Sequence, residues 1–229
     1  KVWRSRVSDD CFALKIQRSG DWYNVSAANE VRILEAIMTE DPDNDAGTIA
    51  LYDSFFLRGP VGNHIVMVLP VMQMTLLNEI EANTFLPLPR VKKLALSLLE
   101  TLEFVHDCIG VIHTDIKPEN ILVDEAGDYK LADFGNASFA DEQRAPVIQS
   151  RAYRCPEAIL GLFPFTGQAD VWSVACVVFE CATGEMLFYP DDGSHFSEDE
   201  SHLAMAIKLL GPIPLTMAKR GPPRWFNDD

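Results

Sequence analysis

The run His-Thr-Asp-Ile-Lys-Pro-Glu-Asn occupies residues 113–120, and Asp-Phe-Gly follows at residues 133–135. The first run places a carboxylate, a lysine and an asparagine on one loop, and the second adds another carboxylate. The apolar residues 121–123 between them predict a strand. These residue types suit a nucleotide phosphate with its metal ions, because phosphoryl transfer depends on positioned charge and on hard oxygen ligands. Asp-Phe-Gly alone would be weak evidence, but chance does not explain both runs in this order.

Four residues of these two runs have a predicted role in phosphoryl transfer. We expect Asp115 to lie within hydrogen-bond reach of a substrate hydroxyl and to take its proton. Lys117 supplies a cation near the transferred phosphoryl group. Asn120 and Asp133 offer the oxygen ligands that Mg²⁺ prefers.

Two residues upstream complete the predicted nucleotide site. Lys15 ends the strand-like segment 11–16, and we expect it to bind the α and β phosphates of ATP. Glu30, on the helix that follows, is the best candidate for a carboxylate that holds Lys15 in place. Taken alone, these two residues would be interpreted as a surface lysine and a solvated helix face; together with the two runs downstream, they are interpreted as functional. His113 is interpreted as a core residue packed beside Phe134, neither a ligand nor a base.

Hydrophobic periodicity predicts strands in the first third of the chain and helices after it. Residues 26–38 and 90–106 have apolar side chains at helical spacing, and Ser26 is a plausible N-cap of the first of these helices. Residues 49–57 and 64–69 are predicted strands. Residues 171–181 are almost wholly apolar and predict a buried helix, because they are too short to span a membrane. This order suggests two unequal lobes with a boundary near residues 70–73.

Composition limits the classes of partner. The 229 residues carry a net charge of −15, which argues against binding to nucleic acid and is compatible with a basic protein substrate. Acidity that serves solubility alone is an equal alternative. The five scattered cysteines suggest reduced thiols in a cytoplasmic or nuclear protein. No apolar run reaches the length of a membrane span. We also expect the protein to be a monomer.

These motifs in this order resemble a eukaryotic protein kinase over the whole chain. Cys155-Pro156-Glu157 is similar to the family's Ala-Pro-Glu motif, and Asp170 matches the buried aspartate that anchors the catalytic loop. Within the family, the chain is most similar to the SR-protein kinases of the CMGC group, which share Thr114 where most kinases have arginine. Residues 135–137 and 192–202 also resemble that subfamily. LAMMER-type dual-specificity kinases share the threonine too and are the nearest alternative.

The resemblance implies an α+β, bilobal protein kinase fold. A strand-rich N-lobe would span residues 1–70 and a helical C-lobe residues 71–229, with ATP and Mg²⁺ in the cleft between them. It implies transfer of the γ-phosphoryl group to serine, less often threonine, in Arg/Ser-rich proteins such as splicing factors. The adenine pocket would be formed by the hinge, where Pro70 accepts and Met72 donates a hydrogen bond, and by three apolar side chains, those of Val2, Ala13 and Leu122.

The chain also departs from the resembled subfamily. No Gly-rich loop is visible and the chain stops at Asp229, so we expect a fragment. At the positions of the acidic docking groove stand Glu185, Ser201 and Lys208, of which only Glu185 is acidic. Nearby acids at 198–200 could compensate or form only a solvated turn. A pseudokinase scaffold that binds partners without catalysis is the alternative from another class, although Lys15, Asp115, Asn120 and Asp133 are all present.

Overall fold

A four-stranded antiparallel sheet in the order β1-β2-β4-β3 forms the first part of the fold. The computed structural model describes residues 2–4 (backbone only), 11–60, 62–143, 147–193, 195–221 and 225. The strands of this sheet are β1 (Val2–Arg4), β2 (Cys11–Ile16), β3 (Asp53–Gly59) and β4 (Gly62–Leu69). Ile65, Val66 and Met67 of β4 are buried, and Met67 joins the main core.

The strand predicted over residues 49–57 begins later than expected, at Asp53. The residues before it bind the second sheet instead: Ile49 donates to the Leu131 carbonyl at 2.9 Å, and Leu131 donates to the Gly47 carbonyl at 2.8 Å. An apolar run predicts burial but cannot specify which sheet buries it, so the boundary was wrong by four residues.

Helix α1 (Asp21–Glu40) packs its apolar stripe, Ile33, Leu34 and Ile37, into the core. It begins five residues before the predicted start, with Gly20 at the N-cap position, so the assignment of Ser26 as N-cap was wrong. Asp21 in the first turn suits the positive end of the helix dipole. Ser26 lies inside the helix, and its hydroxyl donates to the Gly135 carbonyl at 2.8 Å.

The rest of the chain is mainly helical around a small second sheet. That sheet has the order β5-β7-β8, and β6 and β9 form a separate two-stranded ribbon. The strands are β5 (Met74–Thr75), β6 (Val111–Ile112), β7 (Ile121–Val123), β8 (Tyr129–Leu131) and β9 (Ser138–Phe139). The helices are α2 (Leu76–Asn83), α3 (Leu88–Glu103), α4 (Pro156–Ile159), α5 (Gln168–Thr183), α6 (Glu198–Leu210) and α7 (Leu215–Ala218).

Helices α3 and α5 form the centre of the main core. Leu94 and Leu98 of α3 and Val174 and Val177 of α5 are almost completely buried in one cluster. Each such side chain stabilises the fold by about 1.5–3 kcal/mol through removal of apolar surface from water. Among the described residues, no helix combines the length and apolar character needed to cross a membrane.

The observed order of elements confirms the predicted α+β class, with strands first and helices after. The chain passes from the first sheet to the second between Leu69, the end of β4, and Met74, the start of β5. Gln73 already donates to the Val123 carbonyl at 2.8 Å. The division into lobes at residues 1–70 and 71–229 remains our interpretation of this crossing.

Candidate active site

The 113–120 loop is held in place by hydrogen bonds to a buried carboxylate. Asp170 on α5 is fully buried, and its two oxygens accept the backbone N–H groups of His113 and Thr114, each at 2.8 Å. The ring of His106 lies 2.8 Å from the same carboxylate. A buried ion needs such partners, because unpaired burial of a charge is costly. The predicted anchoring of the loop by Asp170 is confirmed.

His113 is a core residue, as predicted. It is completely buried, and its ring meets that of Phe134 edge to face, with 4.8 Å between centroids. Its Nε2 lies 3.0 Å from the Ala132 carbonyl. Burial lowers the pKa of His113, so the neutral ring is the stable form at neutral pH. The ring therefore supports the loop by packing and cannot easily carry a proton.

Asp115 faces a cavity of about 370 Å³ and is surrounded by hydrogen-bond donors. The Ser150 hydroxyl donates to Oδ1 at 2.7 Å, and Lys117 Nζ donates to Oδ2 at 2.9 Å. Asn120 and Asn136 each donate to Oδ2 at 3.3 Å. Lys117 also donates to the Ser150 hydroxyl at 2.9 Å, so the three groups form a closed triangle. The arrangement fixes the carboxylate while the cavity leaves room for another hydroxyl.

Lys15, Glu30 and Asp133 meet at the other end of the site. Lys15 Nζ lies 2.6 Å from Glu30 Oε1 and 2.6 Å from Asp133 Oδ1. Burial opposes the charge on Lys15, but the two carboxylates outweigh it and raise its pKa. Burial raises the pKa of Glu30, and Lys15 offsets part of that rise. The fold thus brings these three residues into contact, although Lys15 and Asp133 are 118 positions apart in the chain.

Asn120 and Asp133 fit a magnesium ion by the chemistry of their side chains, which both carry hard oxygen ligands. The Asn120 amide nitrogen donates to the Asp115 carbonyl at 2.8 Å, which leaves the amide oxygen for another partner. Asp133 has a left-handed backbone (φ 63°), and its carboxylate is about half exposed. Burial favours its neutral form, but Lys15 outweighs that effect and lowers the pKa of Asp133. Mg²⁺ is usually bound by one or two carboxylates together with substrate phosphates.

The predicted adenine-binding residues lie along the crossing between the two sheets. Val2 pairs with Ala13 in the first sheet, although the side chain of Val2 is outside the described residues. Pro70 and Met72 follow β4 directly, and Leu122 lies on β7 of the second sheet. The predicted apolar residues thus come from the two sheets, and the predicted backbone groups come from the connection between them.

Sequence reasoning missed two residues that contact Asp115. Ser150 lies 35 positions from Asp115, and Asn136 lies 21 positions away. No local pattern predicts either contact, because each depends on how the segment after Asp133 folds back over the loop.

A family model described as the protein kinase domain matches residues 4–223. The chain therefore belongs to the protein kinase domain family, as its fold and the 113–120 and 133–135 runs had suggested.

Among curated proteins, the chain is 31% identical to a serine/threonine-protein kinase SRPK of Physarum polycephalum, over 94% of this chain and 64% of that protein. It is 33% identical to the dual specificity protein kinase lkh1 of Schizosaccharomyces pombe, over 95% of this chain and 33% of that protein. It is also 33% identical to human dual specificity protein kinase CLK2, over 91% of this chain and 44% of that protein. The chain thus spans between one third and two thirds of the length of these relatives. Similarity to both kinds of kinase confirms the predicted placement near the SR-protein and LAMMER-type kinases.

Proposed function

We propose that this chain transfers the γ-phosphoryl group of ATP to serine, and less often threonine, in proteins. The observation that carries the proposal is the setting of Asp115, which faces a cavity and is held by Lys117 and Ser150. A carboxylate so placed accepts the proton of an incoming hydroxyl as the oxygen attacks phosphorus. Lys117 stabilises negative charge on the transferred group.

The nucleotide is bound at the opposite end of the site. Lys15 binds the α and β phosphates, and Glu30 holds its ammonium group in position. Asn120 and Asp133 hold the magnesium ion, which when bound neutralises charge on the phosphates. Lys15 contacts Asp133 at 2.6 Å in this structure, so the lysine and the metal ligand already lie side by side.

The adenine ring lies at the hinge between the sheets. Pro70 lacks an N–H group, but only its carbonyl is needed there as an acceptor, and Met72 supplies the donor. Ala13 covers one face of the ring and Leu122 the other.

Arg/Ser-rich proteins are the proposed substrates. The net charge of −15 attracts basic segments, and an SR-protein kinase is among the relatives. Docking of long repeats is expected to be weak, because Ser201 and Lys208 occupy two of the three positions assigned to docking acids. Acids nearby do not replace them: Glu198 and Asp199 pair with Arg151 at 3.0 and 2.6 Å.

A phosphate-transfer assay tests the proposal. The purified chain is incubated with Mg²⁺ and radiolabelled ATP, and with an Arg-Ser repeat peptide or a peptide in which each arginine is glutamate. We expect phosphoserine on the first peptide, little product on the second, and none with Asp115→Asn. A preference for the acidic peptide would contradict the substrate class, and activity of Asp115→Asn near that of the parent would contradict the role of Asp115.

Dual specificity is a second candidate because lkh1 and CLK2 carry that description at 33% identity. Mass spectrometry of the same reaction, with a tyrosine placed at the target position, separates the two. We expect phosphoserine to exceed phosphotyrosine, since Lys117 belongs to the serine/threonine pattern in the resembled family.

A further inference from the structure

Two hydrogen bonds connect the 113–120 loop reciprocally with the segment after Gly135. The Thr114 hydroxyl donates to the Asn136 backbone carbonyl at 2.8 Å. The Asn136 side-chain amide in turn donates to Asp115 Oδ2 at 3.3 Å. We call this pair the Thr114–Asn136 bracket. Both residues also line the cavity that Asp115 faces.

The backbone of Thr114 is strained in a way that the bracket explains. Its φ is 66°, in the left-handed region that β-branched residues rarely adopt. Such a conformation is unfavourable and persists only where the surroundings impose it. Asp170 holds the N–H of Thr114 on one side, and Asn136 accepts its hydroxyl on the other. These two contacts together hold Thr114 in this conformation.

We propose that Asn136 is a positioning residue for Asp115 and that Thr114 holds Asn136 in place to act as one. The inference rests on the proposed function, because it concerns the orientation of the proposed base. Among the donors to Asp115, Lys117 and Asn120 belong to the 113–120 loop itself, whereas Ser150 and Asn136 belong to the segment after Asp133. Asn136 lies three positions after Asp133 in the chain, so its amide couples the orientation of the base to the position of the proposed metal ligand.

The kinetic test compares chemistry with binding. The rate of phosphoryl transfer in a single turnover, the KM for ATP and the melting temperature are measured for Asn136→Ala. We expect about a tenfold slower transfer, with the KM for ATP and the melting temperature close to those of the parent, because the bond orients the base and does not bind nucleotide. Asn83→Ala is the matched control, since the Asn83 side chain lies on the surface of α2, where it donates to the Glu79 carbonyl. Unchanged transfer in Asn136→Ala, or equal effects on transfer, KM and melting temperature, would overturn the proposal.

The part played by Thr114 is tested with two substitutions of similar shape. Thr114→Val removes only the hydroxyl and is expected to slow transfer, and Thr114→Ser is expected to recover most of that loss. In the Thr114→Val background, Asn136→Ala should cost less than it does alone, since the amide is already misplaced. Additive losses would show that the two residues act separately and would contradict the bracket.

A spectroscopic measurement distinguishes failure of this inference from failure of the proposed function. In ¹H–¹⁵N spectra of the parent chain, the Asn136 side-chain amide is assigned by its absence in Asn136→Ala. We expect its resonances to shift when Asp115→Ala removes the acceptor. A parent chain that transfers no phosphate would contradict the proposed function, while an Asn136 amide that does not respond to Asp115→Ala would overturn the bracket whether or not the chain is active.

Discussion

At the scale of single residues, the site consists of two carboxylates held in different ways. Asp115 is nearly buried and accepts hydrogen bonds from neutral donors and from one lysine. Asp133 is about half exposed and is held by Lys15. The first environment suits a proton acceptor of fixed orientation, and the second suits an ionised metal ligand. Substitutions of these two residues should therefore impair different steps of the reaction.

Asp115→Asn should lower turnover by about 10²–10⁴-fold, which is the usual contribution of a general base. The stabilisation of the chain by Mg·ATP should remain, because the side chain acts on the substrate hydroxyl. Steady-state kinetics and thermal melting with nucleotide measure the two effects. Asp128→Asn is the matched control, since Asp128 lies exposed beside Lys93. Near-parental turnover in Asp115→Asn would refute the assignment.

Asp133→Ala should impair the use of Mg·ATP, because a metal ligand is lost. The same change removes one of the two carboxylates beside Lys15, so ATP without metal should still bind through the lysine. Calorimetric titrations with ATP, with and without Mg²⁺, measure this difference. Full retention of the magnesium-dependent gain in affinity would exclude Asp133 as a ligand.

At the scale of elements, helix α6 carries an unusual buried histidine. His202 has no exposed surface, and neither ring nitrogen has a hydrogen-bond partner among the described residues. Its ring packs on Phe188, with 5.0 Å between centroids. Burial, with Arg154 and Arg151 nearby, lowers the pKa of His202 to about 4.

Helix α6 is well capped at its start, because the Ser197 hydroxyl accepts a hydrogen bond from the Glu200 N–H at 3.3 Å.

His202 makes the chain less stable in mild acid. An unfolded histidine has a pKa of about 6.5, so below that pH the unfolded state binds a proton that the folded state binds only near pH 4. The free energy of unfolding should therefore fall as pH drops through this window, by on the order of 3 kcal/mol from His202. His202→Leu should flatten the pH dependence in urea denaturation between these limits, whereas exposed His195→Leu should not. An unchanged slope in His202→Leu would contradict this account.

The segment between Asp133 and Glu157 is held by hydrogen bonds to carbonyl and carboxylate groups, none of which involves a phosphate. Helix α1 binds its start through Asn29, which donates to the Ala137 carbonyl at 2.8 Å, and through Arg32, whose Nη2 lies 2.5 Å from Glu142 Oε2. Near its end, Arg154 donates to the Gln149 carbonyl at 2.9 Å. Thr114 stands where an arginine would pair with a phosphate and cannot supply that charge.

We therefore expect the kinase activity to survive dephosphorylation. Phosphatase treatment should change turnover by less than about twofold, because the contacts that order the segment involve carboxylates and carbonyls. The measurement is phosphate transfer to an Arg-Ser peptide before and after treatment, with mass spectrometry to confirm removal of phosphate. A kinase that depends on a phosphorylated activation loop is treated in parallel as the control. A large loss of turnover in this chain would show that a phosphate is required.

At the scale of the whole molecule, the net charge of −15 should govern the encounter with basic substrates. The value of kcat/KM for an Arg-Ser peptide should fall steeply as salt rises, because the screening length shortens from about 30 Å at 0.01 M to about 3 Å at 1 M. A serine peptide without charged residues is the control and should respond little. Equal salt dependence for both peptides would show that the charge serves solubility alone.

The sequence by itself determined the family, the α+β order of elements, the buried character of α3 and α5, and the presence of Lys15, Asp115, Asn120 and Asp133. These features are local, because motif order and hydrophobic periodicity are properties of short stretches of chain. The tertiary structure alone decided that Ser150 and Asn136 reach Asp115, that α1 begins at Asp21, and that residues 47–49 bind the second sheet. Such contacts join positions far apart in sequence, and only the packing of whole elements brings them within hydrogen-bond distance.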